Sequence, residues 1–364
     1  MSDPRPSRAT RGLMRRLFAG YAQTVVTQMV RLGYELGLWE KLAERPQTSS
    51  ELARAAGLDE RPVREWLSAV TCARLVRYDP KHSVFALERP ARECLTGPRV
   101  TNLAAGSLMA TAALAAWPRI LEGFRGGGVP YRAYAPSFPR AMARLNRGRY
   151  DALFVDRYLP LAPGLVARLR RGASVLEVGC GDGHVTNLMA RAFPRSRFVG
   201  VDAEALPLRW ARAEARTHRL TNVRFVRQAL DRIPTRPARD VVFALDMIHD
   251  LSDPVGGVTR LVECLHPGGW LFAVEPKVTG PLEANRGNTG AAYLYGISTL
   301  YCTMVARSAG GEALGAAWGP DRALALLRHC GLTRVRCQEA PANSLSMVVT
   351  GRAAVPAGRR IAAA

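Results

Sequence analysis

The chain has 364 residues, 48% of them hydrophobic, and its 51 basic against 30 acidic side chains give a formal net charge of +21. That size and apolar content suit two packed domains and exclude a disordered or fibrous chain. The charge invites a nucleic-acid partner, yet lysine occurs only at Lys41, Lys81 and Lys277 and arginine is spread throughout, as a compositional bias also produces.

In chain order, residues 1–20 carry Arg5, Arg8, Arg11, Arg15 and Arg16 and are expected as a disordered basic tail. The segment lacks the apolar core of a secretory signal, and seven cysteines without regular spacing point to reduced thiols, so a cytoplasmic protein is expected. From Tyr21 to Leu38 the residues Val25, Val26, Met29, Val30, Leu32 and Leu36 predict an amphipathic helix with one buried face. Thr48-Ser-Ser-Glu51 offers an N-cap with an acid close behind, opening a helix through Ala55 that stops at Gly57. Asp59-Glu-Arg-Pro62 opens another, with Val63, Trp66, Leu67 and Val70 on one side. Asp79-Pro-Lys-His82 then turns a hairpin between Leu75–Tyr78 and Ser83–Leu87. Helix, turn, helix and hairpin make a winged helix over residues 21–100. Such a domain either presents Arg61 and Arg64 to a DNA groove or has another task, such as pairing subunits.

Residues 101–150 read as linker helices. The apolar run Leu103–Trp117 is too short to cross a bilayer and predicts a buried helix, so no membrane span is expected. Tyr131, Tyr134, Phe138 and Tyr150 follow among glycines and prolines, and either line an acceptor pocket or pack beneath a sheet.

Val175-Leu-Glu-Val-Gly-Cys-Gly-Asp-Gly183 reads as a buried strand that breaks into a glycine turn and opens a helix. Gly179, Gly181 and Gly183 admit a ligand close to the backbone, and free N–H groups lie beside it. Glu177 would repel a pyrophosphate but suits a cationic amine. Arg197–Asp202 is a second strand, ending in an acid at the distance of a ribose-binding carboxylate. Further strands are predicted at Val223–Val226, Asp240–Leu245 and Trp270–Val274, the last after the turn His266-Pro-Gly-Gly269; short apolar runs alternating with helices describe a covered parallel sheet.

Ligands in such sheets bind beyond the carboxyl ends of the strands. This brings Asp246-Met-Ile-His249-Asp250-Leu-Ser-Asp253 and Glu275-Pro-Lys277 to the site. His249 has the titration range of a general base, and Glu275 on the next strand is in reach to orient it. The alternative is that His249 and Asp250 merely cap the following helix. His82, His184, His218, His266 and His329 show no metal-ligand spacing, and no metal is expected. Cys180 and Cys302 have no partner pattern for thiol catalysis.

The glycine run Glu177–Gly183 resembles motif I of the class I S-adenosylmethionine-dependent methyltransferases. The segment His249-Asp250-Leu251-Ser252-Asp253 resembles the His-Asp-Trp-Ser-Asp run of the small-molecule O-methyltransferases, with leucine for tryptophan. Gly126–Tyr134, Ile248–Asp250, Ser298–Thr303, Gly310-Gly311 and Trp318-Gly319 are similar to a bacterial group with a winged-helix start, sometimes labelled transcriptional regulators. The resemblance implies an α/β fold, a Rossmann-like seven-stranded methyltransferase sheet over residues 151–352, behind a mainly α winged-helix domain that serves dimer contacts and pocket closure. It implies S-adenosylmethionine as cofactor, held along Glu177, Gly179, Gly181, Gly183, Asp202, Gln228 and Asp246. Gln228 stands where relatives have an acid for the adenine amine. His249 and Glu275 would be catalytic, residues 278–319 an inserted lid, and 353–364 a tail. The implied reaction is O-methylation of a small-molecule acceptor by a homodimer. N-, C- or peptide methylation, or a DNA-binding regulator with a cofactor-sensing domain, are the alternatives.

Overall fold

The computed structural model describes residues 6–355, and the chain divides into two compact units, Met1–Ala112 and Ala113–Ala364. The segment expected as a linker at 101–150 is thus shared between them.

The first unit opens with helix α1, Arg8–Glu35, capped by the Ser7 side chain accepting from the Thr10 N–H. This corrects the disordered tail expected over 1–20; residues 1–5 lie outside the described residues. After Pro6 nothing breaks the helix, and the arginines of this stretch are good helix formers. The helix ends before Leu38 because Gly37 takes a left-handed turn, φ 68°, into α2, Leu38–Glu44. Its apolar stripe is only partly buried: Met29 and Val30 pack on the core, whereas Val25, Leu32 and Leu36 are exposed.

Helix α3, Ser49–Ala56, has the expected capping box between Thr48 and Glu51 and stops at Gly57. Helix α4, Glu60–Cys72, starts at Asp59 and buries Val63, Trp66, Leu67 and Val70. Trp39 and Trp66 pack against each other at a tilt of 60°, with ring centroids 4.7 Å apart. Their indole N–H groups donate to the backbone carbonyls of Val30 and Met29. Gly33 lets the rings approach α1, since a Cβ there would lie 2.3 Å from Trp39 Nε1. Strands β1, Arg77–Asp79, and β2, Val84–Ala86, form the wing, and α5, Arg89–Leu95, and α6, Gly106–Ala112, complete the unit.

The single buried helix expected over Leu103–Trp117 does not form. Helix α6 gives way to a 3₁₀ turn, Ala113–Ala116, and Pro118 restarts the chain as α7, Trp117–Gly123; Leu103, Leu114 and Trp117 are exposed.

In the second unit, α8 (Ser137–Leu145), α9 (Arg147–Leu153) and α10 (Leu165–Arg171) precede a seven-stranded sheet. Its strands are β3 (Ser174–Val178), β4 (Arg197–Asp202), β5 (Val223–Arg227), β6 (Arg239–Leu245), β7 (Leu265–Pro276), β8 (Leu332–Ala340) and β9 (Asn343–Ala353). They lie in the order β5-β4-β3-β6-β7-β9-β8. The first five are parallel; β9 runs antiparallel to β7 and β8 antiparallel to β9. The expected turn at His266–Gly269 lies within β7, where the pairing with β6 shifts register. Strand β9 reaches Ala353, the first residue of the expected tail; residues 356–364 lie outside the described residues.

Alternation along the strands builds two cores. Val175, Val241, Phe243, Phe272 and Val274 pack with Tyr150, Phe154, Tyr158, Leu165 and α11 (His184–Ala192) on one face. Leu176, Val242, Ala244, Leu271 and Ala273 pack with α13 (Pro254–Glu263) and α16 (Gly319–His329) on the other. Helix α12, Ala205–Thr217, follows β4. Because the chain leaves β3 to one side and returns as β6 on the other, the crevice at their carboxyl ends is the switch point where ligands bind in this topology. The inserted segment folds as α14 (Thr289–Ile297), a π turn Ser298–Cys302 and α15 (Thr303–Ser308). Tyr301 and Trp318 are buried there, while Tyr293 and Tyr295 are exposed.

Candidate functional site

The glycine turn after β3 holds Gly179, Gly181 and Gly183 at φ of 67°, 53° and 65°. They do different work. A Cβ on Gly183 would lie 2.5 Å from Ala211 and the Phe225 ring, so that glycine serves packing of α11. A Cβ on Gly181 meets nothing within 4 Å, so its backbone borders open space. The Gly181 N–H donates to Asp202 at the end of β4 (2.9 Å), and the Glu204 N–H donates to the other carboxylate oxygen (2.8 Å). Burial raises the Asp202 pKa against the pull of these donors. Gln228 donates its backbone N–H to the Asp202 carbonyl at 2.9 Å and its side-chain amide to the Arg232 carbonyl.

Glu177 is buried on the α11 side of β3, where the Thr186 hydroxyl donates to it. Burial, with Asp182 adding repulsion, pushes its pKa to about 7.

The second half of the site lies beyond β6 and β7. Glu275 is fully buried and accepts from the backbone N–H groups of Met247 (3.2 Å), Ile248 (2.9 Å) and His249 (3.2 Å). The same carboxylate lies 2.7 Å from His249 Nδ1. On the opposite edge of the ring, Nε2 is 3.3 Å from Asp250 Oδ1. Burial favours the neutral imidazole, but Asp250, Cys302 and Glu275 outweigh it and hold the His249 pKa well above its ordinary value. Neither His249 nor Asp250 caps the next helix; Asp253 does, accepting from the Gly256 N–H.

Asp246 sits between these halves in a left-handed conformation, φ 52°, and accepts from Asn146 Nδ2 (3.0 Å) and the Tyr150 hydroxyl (3.5 Å). Burial, reinforced by Glu275, pushes its pKa to about 6. Asn146 and Tyr150 had no sequence signal for this contact. Equally unforeseen is the network in which Arg147 pairs with Asp182 (3.2 Å) and Glu214 (2.9 Å), while His184 bridges Glu214 and Asp151, each at 2.9 Å. It ties α9 to the glycine turn and α12.

Tyr131, Tyr134 and Phe138 gather around Tyr301, with the Phe138 and Tyr301 rings stacked. Burial raises the Tyr131 pKa, with Asp202 and Asp250 adding repulsion. In the winged helix, Arg61 pairs with Glu65 and Arg64 with Glu60, and both arginine side chains remain largely exposed. Among the described residues no helix is long and apolar enough to cross a membrane.

Residues 24–97 match the family described as Rv2258c-like winged HTH domain, and residues 176–271 match the family described as Methyltransferase domain. A trans-aconitate 2-methyltransferase of Acidovorax sp. (strain JS42) is 35% identical over 126 residues, covering 34% of this chain and 46% of the relative. The chain thus spans about half the length of the relatives it matches. The mitomycin 7-O-methyltransferase MmcR superposes with a TM-score of 0.69 at 18% identity, covering 95% of this chain and 100% of that one. Human N-acetylserotonin methyltransferase in complex with SAM gives 0.67 at 17% identity, covering 97% and 100%. The chain therefore joins a winged helix-turn-helix domain to a methyltransferase domain, and shares the fold of these two structures along nearly its whole length.

Proposed function

We propose that this chain, a winged helix joined to a methyltransferase domain, is an S-adenosylmethionine-dependent methyltransferase that methylates a hydroxyl of a small-molecule acceptor. The observation that carries the reading is the 2.7 Å contact between His249 and Glu275 at the carboxyl ends of β6 and β7, across the switch-point crevice from the glycine turn. The residues fit such a donor: the open space at Gly181 takes a ligand against the backbone, and the Asp202 carboxylate beside it suits ribose hydroxyls. Gln228 follows Asp202 at the adenine end. Glu177 and Asp246 supply negative charge for the donor's ammonium group, Glu177 from beneath the turn and Asp246 from the end of β6. When bound, S-adenosylmethionine supplies a sulfonium methyl that is already a strong electrophile.

The chain's own contribution is alignment and proton transfer. Glu275 fixes the imidazole through Nδ1 and pins the backbone of the loop that carries it. Nε2 then takes the acceptor's hydroxyl proton, and the resulting imidazolium is stabilised by Asp250 and Glu275. The aromatic cluster around Tyr301 suits an apolar acceptor. For the winged helix, the exposed stripe Met14, Phe18, Tyr21, Val25 and Leu32 on α1 supports a homodimer contact. A mass-spectrometric screen of hydroxylated small molecules tests the reading: one acceptor should gain a single methyl group. That gain should vanish in His249→Ala while donor binding persists. Full turnover in that variant would remove His249 as the base.

A further inference from the structure

We infer that His249 Nε2, the Asp250 carboxylate and Cys302 Sγ form a three-ligand site for a thiophilic divalent cation of the zinc class, and that filling it switches the enzyme off. The inhibitory half rests on the reading of His249 as base; the metal site does not.

One ligand atom from each residue lies within 4.8 Å of the other two. Nε2 and Asp250 Oδ1 are 3.3 Å apart, which is the edge of about 3.3 Å that two ligands at roughly 2.0–2.1 Å subtend around a tetrahedral zinc. Asp250 Oδ1 is buried beside His249 Nε2, where a cation would compensate its charge whenever the imidazole is neutral. The ring is already oriented as metal-bound histidines are, its other nitrogen 2.7 Å from the buried Glu275 carboxylate. Cys302 ends the π turn Ser298–Cys302, and π turns of this kind concentrate at functional sites. A thiolate, an imidazole and a carboxylate select zinc or a similar borderline ion over magnesium or calcium. Three protein ligands leave a fourth position for water.

Binding releases the Cys302 thiol proton to solvent, and with it the Nε2 proton of a protonated His249, so that the metal takes up the Nε2 lone pair with no change of oxidation state. Metal binding and proton abstraction by His249 therefore exclude each other. Cys302 stands far from His249 in sequence, which is why histidine and cysteine spacing gave no sign of a metal.

The test adds cobalt(II) to the metal-free, full-length protein and follows the thiolate-to-cobalt charge-transfer absorption. One equivalent should produce the band, zinc should displace it, and Cys302→Ser and Asp250→Asn should weaken or abolish it. No band in the native protein overturns the site, as does a band that survives unchanged in Cys302→Ser and so arises from another cysteine, such as the exposed Cys72 or Cys94. One equivalent of zinc should cut methyl transfer by tenfold or more, reversed by a chelator. Unchanged turnover with the cobalt site intact overturns the inhibition alone. A protein that transfers no methyl under any condition overturns the methyltransferase reading, while the cobalt band still decides the site.

Discussion

Glu275 reaches His249 twice, with the carboxylate 2.7 Å from Nδ1 and 3.2 Å from the backbone N–H of the same residue. Its other oxygen takes the N–H groups of Met247 and Ile248, so one buried carboxylate shapes the whole turn that presents the imidazole. Charge-assisted bonds to backbone N–H groups are among the stronger hydrogen bonds, and truncating their acceptor leaves buried donors unpaired.

Glu275→Gln keeps the shape but loses the charge that orients the imidazole. Steady-state kinetics should show kcat lowered by about 10²-fold or more, in the range general-base catalysis contributes, with the KM for the donor little changed. Glu275→Ala should also unfold at lower denaturant. A Gln variant with native kcat would show that the carboxylate only supports the loop.

As the proposed base, His249 must be neutral to accept a proton, and Asp250 is the first of the charges that raise its pKa against burial. Methyl transfer should therefore fall as pH drops through a value above 6.5, the ordinary histidine value. Asp250→Asn removes that charge, so the acid limb of the kcat profile should move to lower pH. A limb that stays in place would assign it to another group.

Glu177 has a folded-state pKa of about 7 against an ordinary 4.5, because burial disfavours its carboxylate. Such a raised group contributes stability that is present below 4.5 and lost as pH rises through about 7. Glu177→Gln never ionises and should gain stability relative to the native chain as pH increases across that window. Urea midpoints at both ends of the window measure it, and a pH-independent difference would contradict the burial argument.

On α1, Phe18 and Tyr21 are exposed by 73% and 65%. If this stripe pairs two chains, Phe18→Glu with Tyr21→Glu should convert a dimer into a monomer in light scattering, leaving helix content and donor affinity unchanged. A native protein that is already monomeric would remove the contact.

The parts of the site that sequence made legible are those carried by short-range rules. Gly179, Gly181 and Gly183 follow one strand, Asp202 ends the next, and His249 and Glu275 end two strands that the alternating pattern had already put in order. What stayed hidden depends on long-range packing. Asn146 and Tyr150 meet Asp246 only because α8 and α9 fold over the end of β6, and Cys302 meets His249 only through a π turn in the inserted segment. Sequence also misjudged residues 8–20, where arginine-rich composition looked disordered although its helix propensity was high.

S-adenosylmethionine should bind on the Gly181–Asp202 side of the crevice, and calorimetric titration of the intact protein measures this binding. Saturable one-to-one binding is expected. Asp202→Ala should weaken it by roughly tenfold or more, as loss of hydrogen bonds to a charged group implies, and Gly181→Val should block it by filling the open space beside the turn. A native protein that gives no binding heat, or an Asp202→Ala variant that binds as tightly as the native chain, would contradict it.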